Sequence, residues 1–221
     1  MTRPVVMFVT GGETLLGSGQ TPENIVIKLA SLSMAWAKAG VDVVQIREPW
    51  LPDRVLFELV TLVVDRLSAF NTKVVVNDRL DVALAGNADG IHLKDEPLDM
   101  DRVRKLAAKD WLIGRSVHDV RTAEQACRGG YVDYVLAGTV KSSPSKLGRK
   151  LLGLNGLEEI AAAVDVPVIA IGGLGFSDAL RIGETTASGL AGIRLFMSGE
   201  KLTDDQRFRQ IAQCREAFGS N

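Results

Sequence analysis

A chain of 221 residues, 46% of them hydrophobic, is long enough for one sizeable domain and too apolar for disorder. Its 26 basic and 27 acidic side chains leave a net charge of −1, with no general pull toward nucleic acid or an anionic membrane surface. Cys127 and Cys214 stand alone, without metal-ligand spacing or a disulfide framework, and read as reduced residues on helices.

The opening Met1-Thr2-Arg3-Pro4 lacks the apolar run of a secretory signal, and no later stretch reaches membrane-spanning length, so a cytoplasmic protein is expected. Val5–Val9 is the first strand candidate. The Gly-rich segment Thr10–Gly19 follows it and matches neither the dinucleotide fingerprint nor the P-loop. It is expected to lie over the mouth of the fold. Val43–Ile46 forms the second strand, and Arg54–Phe70 a helix in which Val55, Leu59, Leu62, Val63 and Leu67 recur at helical spacing. Further strands are predicted at Lys73–Val76, Gly90–Leu93, Leu112–Ser116, Tyr134–Leu136, Val168–Ile171 and Gly192–Phe196. Nearly continuous apolar strands alternating with helices point to a parallel sheet covered by helices. The strand count closes an α/β TIM (β/α)8 barrel, one domain over residues 1–221. The alternative, a doubly wound open sheet, would more usually carry a nucleotide fingerprint after its first strand.

In such a barrel the active site is built at the C-terminal ends of the strands. That rule gathers the unusual polar residues in one place. Gln45 and Arg47 are two apart, so they share one face of an extended chain, and Glu48 follows them. A solvated strand end with a salt bridge is the plainer explanation. Strand three ends in Asn77 and Asp78, strand four in His92, Lys94, Asp95 and Glu96, and strand five in Ser116 and His118. The loop Gly138–Lys146, with Ser143, Ser145 and Lys146, supplies hydroxyls and ammonium groups suited to anionic oxygens, though a surface loop has the same composition. Gly172 and Gly173 follow strand seven directly, where backbone N–H groups approach a phosphate without a Cβ in the way. Two anion-compatible features on one face suggest a small phosphorylated ligand.

Taken in order, Gln45-Ile46-Arg47-Glu48, Asn77-Asp78-Arg79, Ala88-Asp89-Gly90-Ile91-His92-Leu93, Gly114-Arg115-Ser116-Val117-His118, Asp133-Tyr134-Val135, Gly138–Lys146 and Ala170-Ile171-Gly172-Gly173 resemble the thiamine-phosphate synthase superfamily. That superfamily includes a TenI branch of thiazole tautomerases. The resemblance runs from Val5 to Ser198 and implies a TIM barrel, a homodimer, and a small phosphorylated heterocycle as ligand. It places the phosphate of thiazole phosphate at Gly172, Gly173 and Ser198. Substrate contacts fall to Gln45, Arg47, Asn77, Ser116, Ser143, Ser145 and Lys146. Neither nucleic acid nor membrane is an expected partner.

Synthases of this superfamily join a pyrimidine diphosphate to thiazole phosphate and release pyrophosphate with Mg²⁺. Their pattern makes Asp78 a metal ligand. It is interrupted here by Pro49 in place of a pyrophosphate-binding Lys, Pro97 in place of a second metal Asp, and Lys94 in place of a Gly. Tautomerases need no metal, only acid/base groups. The form Gly114–His118 is closer to that branch, and Glu48 matches its carboxylate, but Thr139 stands where its catalytic His would be. The expectation is therefore a TenI-like protein with Glu48 and His118 as catalytic acid/base groups and no cofactor. A synthase with a rearranged Mg²⁺ site and a non-catalytic binding or regulatory protein are the alternatives.

Overall fold

The computed structural model describes residues 4–15, 21–142 and 151–219. Eight parallel strands close into a barrel in chain order: β1 (Val5–Val9), β2 (Val43–Ile46), β3 (Lys73–Asn77), β4 (Gly90–Leu93), β5 (Leu112–Val117), β6 (Tyr134–Ala137), β7 (Val168–Ile171) and β8 (Gly189–Gly192). The helices are α1 (Pro22–Ala39), α2 (Asp53–Leu67), α3 (Leu80–Ala85), α4 (Met100–Leu106), α5 (Val120–Cys127), α6 (Gly153–Ala163), α7 (Ala179–Gly183), α8 (Arg194–Met197) and α9 (Asp204–Gly219). Among the described residues, no helix is long and apolar enough to cross a membrane. Both cysteines lie on helices, Cys127 on α5 and Cys214 on α9.

Two apolar clusters result. Val5, Met7, Val9, Val43, Val75, Tyr134, Leu136, Ile169 and Ala191 fill the barrel interior, and a larger cluster lies between strands and helices. In α2, Val55, Leu59, Val63 and Leu67 make the buried face, while the helix stops three residues before the predicted end at Phe70. The strands expected at Lys73–Val76, Leu112–Ser116 and Tyr134–Leu136 each extend one residue further.

The last strand is a correction. Gly192–Phe196 is not the eighth strand; Gly189–Gly192 is, and Arg194–Met197 is a helical turn. Val5 pairs with Gly189 and Phe8 with Gly192. A Cβ on Gly189 would fall 2.0 Å from the Val5 carbonyl oxygen, so only glycine permits this closure. Phe196 instead packs edge-on to Trp36, at a 5.0 Å ring separation, and its carbonyl accepts the Trp36 indole N–H at 3.0 Å.

At the N-terminal face, Asp42, Asp89 and Asp133 each precede an even-numbered strand and accept a backbone N–H from the strand before. The partners are Val6 at 2.7 Å, Val74 at 2.8 Å and Ile113 at 2.7 Å. Arg215, Lys73 and Arg104 pair with the same carboxylates. These acidic groups satisfy strand donors at the face that stabilises a barrel, leaving the opposite face for ligands.

Candidate active site

Glu48 follows β2 and is buried. Both its oxygens accept the Gly12 N–H at 2.9 Å, and Oε2 also accepts the Trp50 indole N–H at 2.8 Å. Burial pushes its carboxyl up, against hydrogen bonds from Thr10, Gly12 and Trp50 that favour the charge. The room is made by glycine: a Cβ on Gly12 would lie 3.0 Å from Glu48 Oε2. Gly12 opens a 3-10 turn, Gly12–Leu15, so the first part of the Gly-rich segment is a docking point for Glu48. Residues 16–19 of that segment lie outside the described residues.

Adjacent strands carry a chain of polar contacts around the mouth. The Gln45 amide donates to Asn77 Oδ1 at 2.9 Å, and the Asn77 amide donates to Asp78 Oδ2 at 2.8 Å. Gln45 Oε1 is buried without a partner, a cost a ligand donor would relieve. Asp78 adopts φ 60°, which turns its carboxylate toward the next strand end. There the Lys94 N–H reaches Oδ1 at 3.0 Å and the Lys94 ammonium reaches Oδ2 at 2.9 Å. Arg47 is exposed, its N–H donates to Thr10 Oγ1 at 2.9 Å, and its guanidinium makes no ion pair among the described residues.

His92 is sealed inside the barrel end. Nδ1 lies 3.2 Å from the Tyr134 hydroxyl and Nε2 lies 2.9 Å from Ser116 Oγ. Desolvation pushes its pKa down to about 3, so the imidazole is neutral, one nitrogen donating and the other accepting. A Cβ on Gly114 would lie 2.1 Å from the Tyr134 ring and 2.6 Å from His92 Nδ1, so glycine is needed for their stacking. His118 is exposed; its Nδ1 contacts the Gly138 carbonyl and its N–H donates to Thr122 at 3.0 Å.

Gly172 and Gly173 hold φ values of 103° and 68°, which glycine alone adopts at little cost. A Cβ on Gly173 would sit 2.5 Å from the carbonyl oxygens of Lys141 and Ser142, so the loops after β6 and β7 touch through bare backbone. Lys141 pairs with Asp178 beyond β7. Ser143, Ser145 and Lys146, expected at the substrate, lie outside the described residues. Ser198 stands at the far end of the α8 turn, exposed, with its hydroxyl donating to the Leu195 carbonyl at 3.3 Å.

The mouth thus brings Gln45, Asn77, Asp78, Lys94 and Ser116 onto neighbouring strand ends. Tyr134, Gly114 and Arg115 were not singled out individually from sequence. The Arg115 guanidinium donates to the Glu96 carbonyl at 2.8 Å and fixes the loop that carries Lys94. Its signal was a charged residue inside an apolar strand.

The Mg²⁺ expected for a synthase does not fit these residues. Both Asp78 oxygens are engaged by Lys94, Pro97 offers no ligand, and no group of three His, Cys, Asp or Glu among the described residues is arranged to hold a metal.

A family model described as thiamine monophosphate synthase matches residues 20–196. Thiamine-phosphate synthase of Caldanaerobacter subterraneus is 35% identical over 160 residues, covering 71% of this chain and 74% of that one. The enzyme of the same name from Roseiflexus castenholzii is 36% identical over 164 residues, covering 74% and 72%. A solved structure titled thiamine phosphate pyrophosphorylase from Pyrococcus furiosus superposes with a TM-score of 0.79 at 25% identity, covering 97% of each chain. The closed parallel barrel, the polar strand ends and these matches agree: the chain belongs to the thiamine monophosphate synthase family.

Proposed function

We propose that this barrel is a transferase of the synthase type, joining a pyrimidine diphosphate to thiazole phosphate with release of pyrophosphate. The carrying observation is the fate of Glu48. Its oxygens are spent on Gly12 and Trp50, so the carboxylate expected to move protons in a tautomerase acts as a positioning residue. Thr139 supplies no base in place of the branch's histidine, and His118 is turned to the Gly138 carbonyl.

Group transfer fits what remains. The C–O bond to pyrophosphate breaks with its electron pair on the leaving oxygen, and the thiazole nitrogen lone pair forms the new C–N bond. No proton moves in that step, so a neutral, sealed His92 and an engaged Glu48 do not impede it. The demand is for orientation and for cations near the departing charge. Gln45 and Asn77 offer amides to a heterocycle, Ser116 a hydroxyl, Gly172 and Gly173 a backbone cradle for phosphate, and Arg47 and Lys94 the positive charge. The names of the curated relatives support the same choice.

The test supplies both substrates and assays pyrophosphate, with and without Mg²⁺. Release at a rate proportional to enzyme is the expected result. The tautomerase is the second reading, favoured by Pro49 and Pro97, which remove a charge and a metal ligand from the synthase pattern. Isomerisation of the thiazole carboxylate phosphate, with no pyrophosphate release, would establish it instead.

A further inference from the structure

We propose that the Lys94 ammonium is the resident cation of this mouth, holding the pyrophosphate-type anion of a substrate at the β3–β4 rim in place of a divalent metal ion. The identity of that anion rests on the transferase reading above; the position of the cation does not.

Lys94 is the first residue after β4 and Asp78 the first after β3, and these strands pair Asn77 with His92. The register therefore sets the two side chains beside each other. Three contacts fix the Asp78 carboxylate: the Lys94 N–H at 3.0 Å, the Lys94 ammonium at 2.9 Å and the Asn77 amide at 2.8 Å. A hard divalent cation such as Mg²⁺ demands near-octahedral oxygen ligation at about 2.1 Å, normally with one or two carboxylates and several waters. To reach Asp78 it would have to displace an ammonium already seated there. Pro97 withholds the second carboxylate.

The ammonium has capacity left for an anion. It carries three N–H donors and is shown spending one on Asp78. Its side chain is 60% exposed, so the remaining donors are open to solvent and to a ligand. Its backbone is anchored from behind by Arg115, which is buried and donates to the Glu96 carbonyl two residues on. Arg47, exposed at the end of β2 and without an ion pair among the described residues, adds a second positive charge to the same rim.

The experiment titrates inorganic pyrophosphate into the intact protein in EDTA and again in Mg²⁺, followed by calorimetry. Pyrophosphate should bind in EDTA, and Lys94→Gln should weaken it by about tenfold or more, with Lys94→Arg retaining most of the affinity. Mn²⁺ titration of the unaltered protein, read by loss of the free-ion resonance, should show no stoichiometric site. This measurement decides the point even where a Lys94 variant fails to fold. No pyrophosphate binding in EDTA, no effect of a folded Lys94→Gln, or one bound Mn²⁺ lost on Asp78→Asn would each overturn the proposal. Turnover with the substrate pair is assayed separately: its absence in both buffers sinks the transferase reading, while the titrations still decide the role of Lys94.

Discussion

Glu48 accepts the backbone N–H of Gly12 through both carboxylate oxygens at 2.9 Å, tying the end of β2 to the turn that follows β1. Glu48→Gln replaces one of the two acceptors of the Gly12 N–H with an amide N–H that opposes it, even when the amide oxygen keeps the Trp50 bond. A buried polar mismatch of this kind should lower stability by about 1–3 kcal/mol. Burial raises the folded carboxyl above its ordinary 4.5, so the folded state binds this proton more tightly than the unfolded chain. Its contribution is fully present below 4.5 and is lost as pH rises through the raised folded value. Urea unfolding across acid to neutral pH should show a shallower slope over that window in Glu48→Gln.

His92 gives the opposite slope. Its pKa falls from an ordinary 6.5 to about 3 on burial, so between those values the unfolded chain binds more protons. Stability should fall as pH drops from 6.5 toward 3, and His92→Gln should lessen that loss. The His92 imidazole resonances of the folded protein should not shift across the neutral range. Titration of His92 there would mean that the barrel end is not sealed.

Gly114→Ala puts a methyl 2.1 Å from the Tyr134 ring. Neither ring can yield easily, since Tyr134 and His92 are both buried. Overpacking there should cost about 1–3 kcal/mol, read as a lower urea midpoint at unchanged slope. A substitution with no measurable cost would show that Tyr134 can leave its place over His92.

Arg47→Ala separates binding from folding. The side chain is exposed and unpaired among the described residues, so stability should change by no more than about 0.5 kcal/mol. If Arg47 serves the anion, pyrophosphate affinity should drop by about tenfold, measured by calorimetry at fixed salt.

Seven strands were legible because β-branched runs such as Val74-Val75-Val76 identify a buried strand without reference to its neighbours. The eighth was not, because Gly189-Leu190-Ala191-Gly192 has the composition of a turn and becomes a strand only by pairing with Val5–Phe8. Ile193-Arg194-Leu195-Phe196 looks like a strand for the converse reason: its apolar residues serve a helical turn beneath Trp36. At the site, the strand-end rule located Gln45, Asn77, Asp78, Ser116, Gly172 and Gly173. It could not separate a side chain that faces a ligand from one consumed by the scaffold, as Glu48 is.

By itself, the sequence determined the barrel, the face that carries its polar residues and the family, because hydrophobic period and strand-end chemistry are local properties. It also displayed Lys94 and Pro97 as departures from the family pattern. Tertiary structure alone decided where the Lys94 side chain comes to rest. The pairing of β3 with β4 sets the Lys94 ammonium 2.9 Å from Asp78, and the seat expected for a metal ion is held by a charge of the chain's own.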